Sequence, residues 1–218
     1  DQNRMPLVEA LQQFREEAPA YFRIPGHRFE RGLDEALNGA SLAAYDLSEA
    51  EGLDDLHHAE GVIAEAQRLA AETWKAKKTF FLVNGTTCGN EAMVLSSVKK
   101  GEKIIVPRNV HKSVLMGLIL CGATPVYVMP EYSTKWQMWG GVTPETIEKA
   151  FDETPDAKAV LLVSPTYYGL CSDLKAIAKI CHRHNAALLV DEAHGSHLSF
   201  SKELPSGALE SGADACAQ

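Results

Sequence analysis

The stretch VLLVSPTYYGLCSDLKAIAKICHRHNAALLVDEAH, residues 160–194, decides the fold. It opens on one continuous apolar run, VLLV, and closes on another, ALLV (187–190). Runs this short, apolar without alternation, are expected of strands buried on both faces. Between them SDLKAIAKICHRHN (172–185) has helical periodicity, with Ser172 as the expected N-cap. Strand, helix and strand in succession form the unit of a parallel sheet covered by helices.

The same alternation extends outward. KTFFLV (78–83) is a short β-rich run, followed by the turn NGTTCGN (84–90) and a helix through EAMVLSSVKKG (91–101). KIIVP (103–107) is a strand, HKSVLMGLILCG (111–122) a helix and TPVYVMP (124–130) a strand. TPETIEKAFDE (143–153) is a helix with Thr143 as N-cap and Pro144 in its first position. Upstream, HAEGVIAEAQRLAAETWKA (58–76) is a long amphipathic helix. PLVEALQQFREEA (6–18) is another, with Leu7, Val8, Leu11 and Phe14 in one stripe behind Pro6. Residues 21–61 between them are rich in Gly and acid and are expected to be mostly irregular with short helices. The expected fold class is α/β, a mostly parallel sheet flanked by helices. Residues 1–57 form an N-terminal helix and irregular arm, and 58–218 the large sheet domain.

Composition narrows the function classes. The chain of 218 residues is 45% apolar and 23% charged, as a globular protein is. A net charge of -8 without any long Lys/Arg run argues against nucleic acid and anionic membranes as partners. No apolar run reaches the roughly 18–20 residues that span a bilayer. The N-terminus lacks the pattern of a signal peptide and an initiator Met, so the chain is expected to have been trimmed or to begin late. Cysteines 88, 121, 171, 181 and 216 are odd in number and lack any C-x-x-C. Reduced thiols in a cytoplasm are expected.

Ligands of such sheets bind beyond the carboxyl ends of the strands. Polar residues gather there: Asn84 to Asn90, then Arg108, Asn109 and His111, then Thr166, Tyr167 and Tyr168, then Asp191, Glu192 and His194. NGTTCGN feeds a helix N-terminus, where backbone N–H groups and two hydroxyls suit a phosphate, although a plain capped turn reads the same way. It matches neither G-x-G-x-x-G nor a Walker loop. Asp191 ends an apolar strand, where a carboxylate either caps the next turn or holds a cation such as a protonated pyridine nitrogen. His194 and His197 in DEAHGSH lack a third metal ligand at a sensible spacing. His57 and His58 fit a solvated helix start. In NVHKSVL (109–115), His111 and Lys112 open a helix, and nothing local decides whether they face solvent or a cofactor.

NGTTCGN, RNVHKS, SPTYYG and DEAHGSH, with IPGHRF upstream, occur in the order found in one family. Together they resemble the ornithine/lysine/arginine decarboxylases, pyridoxal phosphate (PLP) enzymes of the aspartate aminotransferase fold type I. The resemblance runs from about residue 20 to the end. It implies that Gly85, Thr86 and Thr87 hold the cofactor phosphate and that His111 stacks on the pyridine ring. It implies Thr166 near the ring hydroxyl, Asp191 on the ring nitrogen, Ala193 against the opposite ring face and His194 beside the reactive edge. Asp191, His111 and His194 would be the catalytic set, with no metal.

The implied reaction is decarboxylation of lysine, arginine or ornithine to a diamine or agmatine, in polyamine biosynthesis. The implied assembly is a homodimer or larger homo-oligomer. The alternatives are another enzyme of this fold, an aminotransferase or α-oxoamine synthase, or a truncated non-catalytic chain. The family's cofactor-anchoring lysine follows the Asp by roughly thirty residues in a Ser-x-His-Lys setting. Here the only lysine after Asp191 is Lys202, too early and in another context, and Lys112 stands on the wrong element. The anchor is thus expected beyond Gln218, which makes the chain the front portion of such an enzyme, without its small domain.

Overall fold

The computed structural model describes residues 1–17 and 45–218, so IPGHRF (24–29) lies outside the described residues. The chain divides into two compact units, Asp1–Phe81 and Leu82–Gln218.

In the first unit, α1 (Pro6–Glu17) and α2 (Val62–Thr73) are the two amphipathic helices expected from the sequence. Gln2 fastens the start of the chain to α2 through Glu72 and Thr73. The N-cap position of α2 is Gly61, which has no side chain to cap with. Asp54 takes over from a distance. Its carboxylate accepts from the backbone N–H of Asp55, Glu60, Gly61, Ile63 and Ala64, at 2.8 to 3.3 Å. His57 and His58 form an exposed 3-10 turn.

The second unit is a three-layer α/β/α sandwich. Its helices are α3 (Gly85–Ser97), α4 (Lys112–Cys121), α5 (Pro144–Glu153) and α6 (Leu174–Arg183). The sheet contains β1 (Lys103–Pro107), β2 (Thr124–Val128), β5 (Ala159–Val163), β6 (Ala187–Asp191) and β7 (Ala215–Ala217), in the order β2-β1-β5-β6-β7 and all parallel. A small antiparallel ribbon, β3 (Tyr132–Ser133) with β4 (Met138–Trp139), stands apart. Its Tyr132 and Trp139 rings pack at 4.8 Å.

Successive strand residues point to opposite faces, and the core divides accordingly. Ile105, Val160, Leu162, Leu188 and Val190 pack with Ile147 and Phe151 of α5 and Ile177 and Cys181 of α6. Ile104, Val106, Leu161 and Leu189 pack with Met93 and Val94 of α3 and Val114 and Leu118 of α4. This double burial is why the strands read as unbroken apolar runs. It also fixes the polar residues that follow: Asp191 continues the parity of Leu189 toward α3, and Glu192 continues that of Val190 toward α6.

Two local expectations are corrected. KTFFLV forms no strand: residues 78–83 are irregular, with Phe80 64% and Val83 85% exposed. β-Branched and aromatic composition favours an extended chain, but a strand also needs a neighbour to take its hydrogen bonds, and among the described residues none pairs there. The cap of α6 is Asp173, which accepts from the N–H of Ala176 at 3.0 Å. Ser172 instead accepts from the N–H of Val142 at 3.0 Å, a tertiary partner 30 residues away. Thr143 caps α5 as its sequence implied, accepting from the N–H of Thr146. Among the described residues no helix is long and apolar enough to cross a membrane.

Candidate functional site

The carboxyl ends of β1, β5 and β6 and the first turns of α3 and α4 carry the residues singled out above. Asp191 is the last residue of β6 and only 4% exposed. Its Oδ2 accepts from Nδ2 of Asn90 at 2.8 Å, and its Oδ1 from the N–H of Ala193 at 3.3 Å. Among the described residues its partners are these two neutral donors and no cation. A buried carboxylate is costly unless paired or hydrogen-bonded, and these two donors are the partners the described residues give it.

Asn90 sits in the second turn of α3, fully buried. Its second amide proton goes to Oγ of Ser113, at 3.0 Å, across the α3–α4 contact. Ser113 Oγ lies 2.8 Å from Nδ1 of His111, the N-cap of α4, and the Ser113 backbone N–H also donates to that Nδ1 at 3.3 Å. A single hydrogen-bonded line thus joins Asp191 to His111. The imidazole itself is exposed, and so is Lys112. From the sequence, Asn90 stood out only as the last residue of the NGTTCGN turn, and Ser113 was given no role. They lie 23 residues apart, and Asn90 lies 101 from Asp191, so only the sheet parity of Asp191 hints that something on α3 must meet it.

Thr86 and Thr87 precede Asn90 by four and three residues on α3 and so share its face. Gly85 opens the helix with φ +60, a backbone conformation glycine adopts freely. The Asn84 side chain makes no capping hydrogen bond. The first N–H groups of a helix have no partner within it, so this end presents donors and a positive dipole end to an anion.

The remaining candidates stand around this line without joining it. Thr166, 3% exposed after β5, has a local partner: its hydroxyl oxygen accepts from the N–H of Leu170 at 3.2 Å. Its hydroxyl proton is left to donate. Ala193 and His194 are exposed beyond β6. His194 meets Tyr167 edge-on at 6.0 Å, which joins the loops after β5 and β6. Glu192, by contrast, is 1% exposed on the other face and accepts from the N–H of Ala208 and from Gln218, both at 2.7 Å. A cavity of about 260 Å³ lies on the Glu192 side, lined also by Cys171, Ser172 and Glu210, and Asp191 takes no part in it.

A parallel five-stranded sheet flanked by helices on both faces is the architecture of the large domain of fold type I enzymes. The solved lysine decarboxylase A of Pseudomonas aeruginosa shares the fold, with a TM-score of 0.76 and 27% identity over 90% of this chain and 29% of that one. The chain belongs to the Orn/Lys/Arg decarboxylase family, whose major-domain model matches residues 5–218. It is similar to the arginine decarboxylase of Halalkalibacterium halodurans, 44% identical over 99% of this chain and 45% of that protein. It is similar also to the arginine decarboxylase of Bacillus subtilis, 41% identical over 99% and 45%. The chain spans a little under half the length of these curated relatives.

Proposed function

We propose that this chain is the cofactor-holding portion of a PLP-dependent decarboxylase of a basic amino acid, with arginine the first substrate to test. The observation that carries the reading is Asp191, a buried carboxylate without a cation partner among the described residues, at the strand tip beside the free end of α3. The donor set fits the cofactor at both ends: N–H groups and hydroxyls for a phosphate, and a carboxylate for a protonated ring nitrogen. Arginine is placed first because relatives at 41 to 44% identity are named arginine decarboxylases, with lysine and ornithine the comparators.

When bound, pyridoxal phosphate supplies the electron sink that lets a carboxylate leave as carbon dioxide. The residues of this chain have distinct tasks. Gly85, Thr86 and Thr87 bind the phosphate at the positive end of α3. Asp191 would hold a proton on the ring nitrogen, and a protonated ring would supply stabilisation of developing negative charge. Asn90 and the Ala193 N–H hold that carboxylate still. His111 and Ala193 would hold the ring between them, Thr166 would donate to its hydroxyl, and His194 would serve to move a proton. A homo-oligomer in the cytoplasm accords with this reading.

The test is carbon dioxide release from arginine, lysine and ornithine by the purified full-length protein supplied with PLP. Release from one of the three supports the proposal. Transamination to the keto acid without carbon dioxide would overturn it.

A further inference from the structure

We infer that Asn90 and Ser113 are positioning residues that hold His111 as the neutral tautomer protonated on Nε2 and tether it to Asp191. Every donor in the line has one permitted direction. The backbone N–H of Ser113 can only donate, and it points at Nδ1 of His111. Nδ1 is therefore an acceptor, and the ring proton resides on Nε2. With Nδ1 accepting, the Ser113 hydroxyl, 2.8 Å from it, must also donate there. The hydroxyl oxygen is then free to accept from Asn90, which it does at 3.0 Å.

Asn90 has one permitted orientation as well. Turning its amide over would set Oδ1 against Oδ2 of Asp191, two acceptors at 2.8 Å. The ionised carboxylate thus selects the amide orientation, the amide commits the serine, and the serine commits the histidine. The arrangement leaves Oδ1 of Asn90 buried without a hydrogen-bond partner. Buried polar atoms in folded proteins are rarely left so. Both N–H groups are spent on Ser113 and Asp191, which is the reason this site accepts the loss. The result is a ring whose exposed edge always presents an N–H donor.

The tautomer is a property of the protein alone, whereas its value to cofactor binding rests on the function proposed above. The experiment separates the two. Full-length protein labelled with ¹⁵N-histidine is examined by long-range ¹H–¹⁵N NMR near pH 8, with His111 assigned from the signal lost in His111→Phe. The expected spectrum shows Nδ1 bare and Nε2 protonated. Ser113→Ala removes one of two donors to Nδ1 and should shift the tautomer ratio roughly fivefold toward Nδ1–H. Ser113→Thr, which keeps the hydroxyl, should restore it. Asn90→Leu keeps the outline of the side chain and removes both N–H groups, so the Kd for PLP should rise roughly tenfold to a hundredfold, as for a lost bond to a charged group. A wild-type ring protonated on Nδ1, or a Ser113→Ala spectrum identical to wild type, would overturn the inference even if the enzyme is active. If the expected tautomers are found in a protein that binds no PLP, the proposed function falls and the tautomer assignment stands.

Discussion

Gly117→Ala tests how closely α3 and α4 must approach for the site to exist. Gly117 is buried on α4, one turn after Ser113 and on the same face. A Cβ built there would lie 3.0 Å from Cβ of Val94 and 3.3 Å from Cα of Glu91, both on α3. Carbon atoms rest at about 3.5–4.0 Å, so the helices must part by about half an ångström. Val94 is fully buried and Glu91 meets the new atom with backbone, so neither yields by a simple side-chain turn. Two effects oppose each other. Alanine gains about 1 kcal/mol of helix propensity over glycine. Overpacking costs about 1–3 kcal/mol. Stretching the Asn90–Ser113 bond from 3.0 Å toward the limit of hydrogen bonding forfeits about 1 kcal/mol more. The losses win, and destabilisation of about 1–3 kcal/mol should lower Tm by roughly 2–12 °C for a chain of this size. Urea denaturation and thermal melting read the first quantity, and PLP titration reads the second, since the variant should also bind cofactor less tightly. A melting temperature at or above wild type, with unchanged PLP affinity, would show that the helix contact is slack and that Asn90 and Ser113 need no fixed spacing.

Asp191→Ala should lose PLP on gel filtration of the full-length protein, while Glu192→Ala should retain it. Glu192→Ala should instead lower stability by about 1–3 kcal/mol, because the buried Ala208 N–H loses its acceptor; equal cofactor retention in the two variants would count against the assignment. Burial raises the Asp54 carboxyl, but backbone N–H donors from Glu60, Asp55, Gly61 and Ala64 outweigh this and hold it at about 2. Because the folded value is depressed, its contribution of about 1–2 kcal/mol is present above about pH 4 and lost as pH falls toward about 2; acid unfolding of Asp54→Asn should lack that slope. Burial pushes Cys181 and Cys216 up to about 12, so both should resist iodoacetamide at pH 8 in the native protein and react once it is unfolded in urea.

The sheet was legible because double burial writes itself into the chain as VLLV and ALLV, and the cap of α5 because Thr143 and Pro144 act within one turn. The cap of α6 was misassigned between neighbours. Ser172 and Asp173 are equal on local grounds, and the choice is made by Val142, which claims the serine. KTFFLV has strand composition, yet composition cannot supply a partner strand. Asp191, His111 and Thr86 were visible because each stands at the end of an element. The roles of Asn90 and Ser113 were not, because their meaning comes from which helix faces meet. Asp54 was missed for the same reason, as a cap seven or more residues from the N–H groups it serves at the start of α2.

Asp191 and Glu192 are adjacent carboxylates that face opposite sides of one sheet, the first toward Asn90 and the second toward Ala208. Insertion or deletion of one residue between Asn185 and Val190 would exchange them. The longer acid would enter the ligand side and the shorter one would leave the Ala208 N–H unmet, so a single edit would damage chemistry and folding together. A two-residue edit preserves the parity and shifts only the depth of each acid. Viable length variation in this segment should therefore come in even steps, a constraint imposed by the pleat of the strand and independent of which side chains precede the pair.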